Sequence, residues 1–213
     1  MIRGELMAQN RNARGKKRKV NKAVIIVPIV IILIFAVLLG AVYFYFSNKL
    51  QNNQYPQKYG EYVEKASKEY DLDKSLIYAV IRTESKFNEN AESRVGACGL
   101  MQIMPETFET YMNIRDESGK YTTDDLFNPA INIDYGCYIL RDLLNEYNGN
   151  EECAVAAYNA GSGNVDSWLS DPNISPDGQT LIVSNIPDSF SETRSYVISV
   201  EEAKETYQDL LKN

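Results

Sequence analysis

The run Ile77-Tyr-Ala-Val-Ile-Arg-Thr-Glu-Ser85 closes an apolar helical pattern on a carboxylate. At about 100° per residue, Glu84 lies about 20° from Ile77, about 40° from Val80 and about 60° from Ile81 around the helix. The acid is therefore set into the apolar stripe at a helix C-terminus. Desolvation disfavours its charged form there, and the negative end of the helix dipole acts in the same direction. Both effects raise the pKa, and a carboxyl still protonated near neutrality is the group general acid catalysis requires. The same spacing also suits a structural glutamate whose head group snorkels to water, and the helix alone does not choose between the two.

Further along come Ser93, then Gly96-Ala-Cys-Gly-Leu-Met-Gln-Ile-Met-Pro105, Ala156-Ala-Tyr-Asn-Ala-Gly161 and Glu192-Thr-Arg-Ser-Tyr-Val197. Taken in order with Glu84-Ser85, these segments resemble the catalytic domain of lytic transglycosylases of the soluble (SLT) type. Those are lysozyme-like enzymes that cleave peptidoglycan glycan strands. The resemblance runs from about Leu72 to Tyr207. Two positions depart from the usual family pattern: Asn90 and Ser162 each stand where proline is common.

The resemblance implies a single catalytic residue, Glu84. It acts first as acid towards the oxygen bridging N-acetylmuramic acid and N-acetylglucosamine, then as base towards the muramoyl C6 hydroxyl. Attack of that hydroxyl on C1 leaves a 1,6-anhydromuramoyl end and consumes no water. A nucleophile within the same sugar acts at high effective molarity. Substrate contacts implied for this chain are Ser93 near the acetamido group, Gln102 beside the acid, Met104 against a sugar face, Tyr158 and Asn159 on the cleft floor, and Tyr196. No cofactor and no metal is expected. Ser85, Met101 and Tyr158 also suit core or cap roles, and Glu192 and Arg194 suit a helix start and internal pairing. Gly96, Gly99 and Gly161 suit backbone shape.

Two other readings keep the fold. A muramidase that activates water needs a second carboxylate, for which Glu89, Glu92, Asp116 and Asp124 are available in loops. A noncatalytic peptidoglycan-binding scaffold would have no need of an intact Glu84.

Charge is distributed unevenly over the 213 residues. Residues 1–22 carry eight Lys/Arg and one acid, whereas residues 47–213 carry 14 Lys/Arg and 28 Asp/Glu. Between them, Ala23 to Phe46 holds 24 residues without a charge. As a helix that run spans about 36 Å, enough to cross a hydrocarbon core of about 30 Å with tilt. The basic cluster before it predicts a cytoplasmic N-terminus and an extracytoplasmic remainder. A cleaved signal peptide is the competing reading, but the run is long, ends in Tyr43-Phe-Tyr-Phe46 and lacks a small-residue cleavage pattern. The expected organisation is a basic cytoplasmic tail (1–22), a single-pass membrane anchor (23–46), a polar stalk (47–58) and a catalytic domain (59–213). The tail next to a span points to topology and anionic lipid rather than nucleic acid. The acidic domain should grip its glycan by shape and hydrogen bonds.

There is no histidine, which excludes Ser-His-Asp and Cys-His nucleophiles and every His-containing zinc site. Cys98, Cys137 and Cys153 form no CxxC pair, and helix geometry sets Cys137 and Cys153 roughly 12 Å apart. Buried small hydrophobes are the favoured reading; a surface thiol or a bridge from Cys98 stays open.

The elements that must position these groups read as mainly α, a lysozyme-like single domain after one transmembrane helix. Helices are expected over Tyr59 to Tyr70, from an Asp71–Asp73 cap to Glu84, from Pro105 to about Met112, from Pro129 to Tyr147, over Glu151 to Tyr158, and from Glu192 to Leu211. A helical turn is expected over Leu100 to Met104, with Gly136 admitting a neighbouring helix and Gly161 and Gly163 ending the small-residue helix. Ser170 to Ser189 reads as a long loop, with a short hairpin near Thr180 to Val183 as the one option for strand.

Overall fold

The computed structural model describes residue 27, residues 33–46 and residues 54–212. Residues 33–46 are helical (α1), with their apolar side chains exposed. Among the described residues no helix is long and apolar enough to cross a membrane. The basic tail (1–22), most of residues 23–32 and the first part of the expected stalk (47–53) lie outside the described residues. The chain divides into two units, Met1–Leu50 and Gln51–Asn213.

In the second unit the capping residues set the helix boundaries. Asp73 caps α3 (Lys74–Ser85), its side chain accepting a 2.9 Å hydrogen bond from the Ser75 amide. Asn128 does the same for α5 (Pro129–Glu146), where Pro129 occupies the first turn, and Asn150 caps α6 (Glu151–Ala160). α2 (Gly60–Tyr70) and α4 (Pro105–Ile114) complete the first half, and α8 (Ser191–Leu211) closes the domain. The expected helices all form, with ends moved by a residue or two.

α3 sits at the centre. Every residue from Ser75 to Ile81 is buried, so the helix is covered all round rather than on one stripe. Its most extensive partner is α8, which buries Tyr196, Val197, Val200, Ala203 and Tyr207. Each fully buried Val, Leu or Ile side chain contributes roughly 1.5–3 kcal/mol, so this pairing is a large share of the core. α6 packs on both α5 and α8, and its run of Cys, Ala and Val lets backbones approach closely.

Four expectations are corrected. Leu100 to Met104 is not helical. Gly99 (φ 77°) and Gln102 (φ 49°) both take the left-handed region, and Cys98 pairs with Ile103 in an isolated antiparallel bridge. Gly136 admits a side chain, not a helix: a Cβ there would lie 2.4 Å from the sulfur of Met101. Gly163 does not end α6 but lies inside a further helix, α7 (Ser162–Leu169). That helix is short and weakly patterned, and it is held by burial of Val165 and of Trp168, whose ring meets Phe190 edge-on at 5.0 Å. The hairpin near Thr180 to Val183 is absent; the long loop carries 3-10 turns at Val183–Asn185 and Asp188–Phe190. Cys98, Cys137 and Cys153 are all free and buried, and burial pushes each thiol pKa up.

Tyr55 and Pro56, read from sequence as stalk, are tied to the folded domain. The fully buried Tyr207 donates to the Pro56 carbonyl at 3.0 Å, stacks on Tyr78 at 5.2 Å and meets Tyr55 edge-on at 5.5 Å. Arg82 also holds this strap, lying 4.1 Å from the Tyr55 ring centre with its Nε donating to the Gln54 carbonyl. Tyr207→Phe should cost about 1 kcal/mol by leaving the Pro56 carbonyl unpaired, and Tyr207→Ala about 3–5 kcal/mol. Thermal unfolding of the full chain measures both, and equal losses for the two variants would contradict the packing described.

Candidate active site

Where α3 emerges from the core it stops abruptly. Lys86 (φ 52°) and Phe87 (φ 63°) are both left-handed, which turns the chain away one residue after Ser85. Glu84 is thereby left in the last turn of a buried helix, at the edge of a cleft of about 540 Å³. That volume is within the range of small-molecule and saccharide clefts, roughly 300–1,000 Å³.

All seven residues singled out from sequence line this one cleft: Glu84, Ser93, Gln102, Met104, Tyr158, Asn159 and Tyr196. They come from four separate places in the chain. α3 supplies Glu84, two successive tight turns supply Ser93, Gln102 and Met104, α6 supplies Tyr158 and Asn159, and α8 supplies Tyr196. Sequence reasoning missed Thr83, Val95, Ala97, Ser195 and Ser199 as lining residues and read Glu192 as structural only. The α8 members were reachable, because 192, 195, 196 and 199 share one helical face.

Glu84 is partly exposed to the cleft, yet enough protein surrounds its carboxyl to push its pKa up to about 7. Desolvation is the main cause, and the negative charge of Glu192 adds to it. The Tyr196 hydroxyl opposes both by favouring the charged form. This hydroxyl is buried and approaches the carboxyl, but the two do not meet with the geometry of a full hydrogen bond. Burial and the neighbouring Glu84 keep the phenols of Tyr158 and Tyr196 well above their ordinary pKa. Both are therefore neutral hydroxyls at any physiological pH.

Several of these side chains shape backbone as well as facing the cleft. The Ser93 hydroxyl accepts from the amides of Val95 (3.3 Å) and Ala97 (2.9 Å), which fixes the first turn and leaves its O–H free to donate. Gln102 Nε2 donates to the carbonyls of Ala91 and Gly99 at 3.1 and 2.9 Å, leaving its carbonyl oxygen as the free group. The Tyr158 hydroxyl donates to the Met101 carbonyl at 2.9 Å. Asn159 accepts from Thr193 at 2.7 Å, joining α6 to the start of α8.

Charge in the cleft is of one sign. Among the described residues its lining holds two carboxylates, Glu84 and Glu192, and no cation. The loop acids Glu89, Glu92, Asp116 and Asp124 are not part of the lining; Glu89 instead accepts a 2.7 Å hydrogen bond from Tyr59. No group of three or more Cys, Asp or Glu able to hold a metal exists among the described residues. The arrangement offers one protonated acid near neutrality, flanked by neutral hydroxyl and amide groups. It suits proton transfer to and from an uncharged polyhydroxylated ligand.

Comparison with known proteins points the same way. Membrane-bound lytic murein transglycosylase C of Actinobacillus succinogenes is 32% identical over 171 residues, covering 71% of this chain and 47% of that protein. Soluble lytic murein transglycosylase of Escherichia coli K12 is 34% identical over 147 residues, 69% of this chain and 22% of that one. The chain thus spans about half or less of the relatives it matches. The crystal structure of the 70 kDa soluble lytic transglycosylase from E. coli superposes with a TM-score of 0.70 at 31% identity, over 76% of this chain and 26% of that one. The mainly helical, lysozyme-like architecture is common to both. Residues 61–179, which hold α2 to α7 and most of the cleft-lining segments, match the Transglycosylase SLT domain, and the chain belongs to that family.

Proposed function

We propose that this chain is a membrane-anchored peptidoglycan lytic transglycosylase with Glu84 as its single acid and base. The observation that carries the reading is the position of Glu84: a desolvated carboxyl, protonated near pH 7, at the edge of a cleft lined by hydroxyl and amide groups. Its proton passes to the oxygen linking N-acetylmuramic acid to N-acetylglucosamine as the C1–O bond breaks. The resulting carboxylate then takes the proton of the muramoyl C6 hydroxyl as that oxygen bonds to C1, which restores the acid. One bond is broken, one is formed, and no water enters. The same group serves both steps because its two protonation states lie close in free energy near neutrality. Ser93, Gln102, Met104, Tyr158, Asn159 and Tyr196 hold the glycan, with the free oxygen of Gln102 and the free O–H of Ser93 as polar contacts. Tyr196 steadies the Glu84 carboxylate once it forms. Glu192 keeps the acid protonated before reaction.

The anchor reading rests on the charge-free run Ala23 to Phe46, the basic cluster before it, and the exposed apolar side chains of α1. The word "membrane-bound" in the name of the A. succinogenes relative agrees with it. On this reading the catalytic domain faces the wall, outside the cell. The full chain should stay with membranes through alkaline carbonate extraction, and protease added to intact spheroplasts should remove its C-terminal part; release by carbonate would contradict the anchor.

The chemistry is tested with the full chain on purified peptidoglycan, products being weighed by mass spectrometry. Wild type should give 1,6-anhydromuramoyl ends, one water lighter than hydrolysis products, and Glu84→Gln should give none. Reducing ends in their place would establish a muramidase with Glu192 as the candidate second carboxylate. Glycan binding without cleavage would establish a scaffold.

Two pH effects follow from Glu84. Activity should fall as pH rises through about 7, and Glu192→Gln should move that fall to lower pH by removing a negative charge. Stability follows the same proton. A pKa raised from 4.5 to about 7 means the fold favours the protonated form. Its contribution is complete below about pH 4.5 and is lost as pH rises through about 7. Glu84→Gln should therefore be more stable than wild type above pH 7, by roughly 3 kcal/mol, with the difference vanishing near pH 4. Thermal unfolding across pH 4–8 measures this, and a pH-independent difference would contradict the raised pKa.

A further inference from the structure

The turn Cys98–Ile103 brings Gln102 and Met104 into the cleft, and its conformation is costly. Gln102 is a non-glycine residue at φ 49°, a strained conformation that persists only where its surroundings enforce it. Cys98 and Ile103 close the turn with two backbone hydrogen bonds at 3.0 Å, but between them the Gln102 amide reaches the Gly99 carbonyl only at 3.3 Å.

Beside the Gln102 side-chain bonds to Ala91 and Gly99, the turn is enforced by Asn132, on α5. Its side chain is fully buried and is one of four buried polar or charged residues among those described. Its Nδ2 donates to the Cys98 carbonyl at 2.9 Å and to the Leu126 carbonyl at 2.8 Å. Its Oδ1 accepts from the Met101 amide at 2.7 Å. One amide thus ties together the start of the turn, its middle, and the neighbouring 3-10 segment Thr123–Phe127. Gly99 is matched to it: a Cβ there would lie 2.3 Å from Asn132 Nδ2 and 2.2 Å from the Leu126 carbonyl oxygen. From the opposite side the Tyr158 hydroxyl takes the Met101 carbonyl at 2.9 Å. Met101 is therefore held at both its N–H and its C=O, directly before the strained Gln102.

We infer that Asn132 is a positioning residue for catalysis, acting with Tyr158 through the backbone of Met101 to hold Gln102 and Met104 at the cleft. This rests on the transglycosylase reading for its consequence in rate, but not for the clamp itself. Only an amide fits the place: it must give two hydrogen bonds and take one in a fully buried site. Alanine would leave the Met101 amide and the Leu126 carbonyl buried and unpaired, and the turn would relax towards a conformation Gln102 prefers. Displacements near 1 Å at a reacting site cost on the order of 100-fold in rate.

The test uses the full chain with Asn132→Ala, Tyr158→Phe, the double variant, and Tyr207→Phe as a folded variant weakened far from the turn. Amide hydrogen exchange should quicken across residues 98–104 in Asn132→Ala while α3 and α8 stay protected. On peptidoglycan, kcat/KM should fall by about 10- to 100-fold in Asn132→Ala, against less than about 2-fold in Tyr207→Phe. The double variant should lose less than the product of the two single losses, because both side chains hold one residue. Unchanged exchange over 98–104, or a rate loss no larger than that of Tyr207→Phe, would reduce Asn132 to an ordinary buried amide and overturn the inference. If wild type cleaves no glycan, the transglycosylase reading fails separately, and the exchange measurement still decides whether Asn132 holds the turn.

Discussion

The packing of α3 against α8 is the constraint on which the rest of the domain depends. A helix buried on every side from Ser75 to Ile81 has one place where a polar group can meet solvent without leaving its shelter, the turn at which it comes out of the core. Glu84 stands there. α8 both covers the apolar length of α3 and delivers Tyr196 and Glu192 to the far side of the carboxyl. One interface therefore supplies hydrophobic stability and the electrostatic setting of the acid. Were α8 to shift by a turn, the core could in part repack, but the carboxyl would gain water and its pKa would return to that of an ordinary glutamate.

Opposing influences keep that acid usable. Burial and Glu192 hold the proton on, and the Tyr196 hydroxyl favours its release. Had burial acted alone, the group would hold its proton too tightly to donate it well. Had hydrogen bonding dominated, it would be ionised before substrate arrived. The balance falls near neutrality. A lining without cations also fits a glycan backbone, whose recognition depends on hydroxyl and amide contacts rather than on ion pairs.

Around the acid, local cost is offset by tertiary hydrogen bonds. Lys86, Phe87 and Gln102 all occupy the left-handed region without being glycine. The first two bring the chain out of α3 with Phe87 driven into the core, which stabilises a conformation that an isolated peptide would avoid. Gln102 is held instead by polar contacts: its own amide to Ala91 and Gly99, and the clamp on Met101. Strain of this kind gathers at the cleft because side chains must project there in directions that regular helices do not offer.

Much of this was legible in the sequence, and the parts that were not share a cause. Apolar periodicity and caps such as Asp73 and Asn128-Pro129 determine the helices by themselves, since each depends on residues within one or two turns. The place of Glu84 in an apolar stripe likewise followed from helical spacing alone, whereas the other six cleft side chains were implied by the resemblance of their segments to the SLT-type family. The fate of Leu100 to Met104 was not local. An apolar run reads as helix until Asn132, about thirty residues on, takes its backbone groups for hydrogen bonds that a helix would use itself. α7 was hidden for a similar reason, because its eight residues depend on burying Val165 and Trp168 rather than on propensity. Gly136 announced a close approach but could not say by what. The sequence determined α2 to α6, α8 and which carboxylate is sheltered. Only the tertiary structure decided that Glu192, rather than any loop acid, shares the cleft, because that depends on distances between segments that no local pattern encodes.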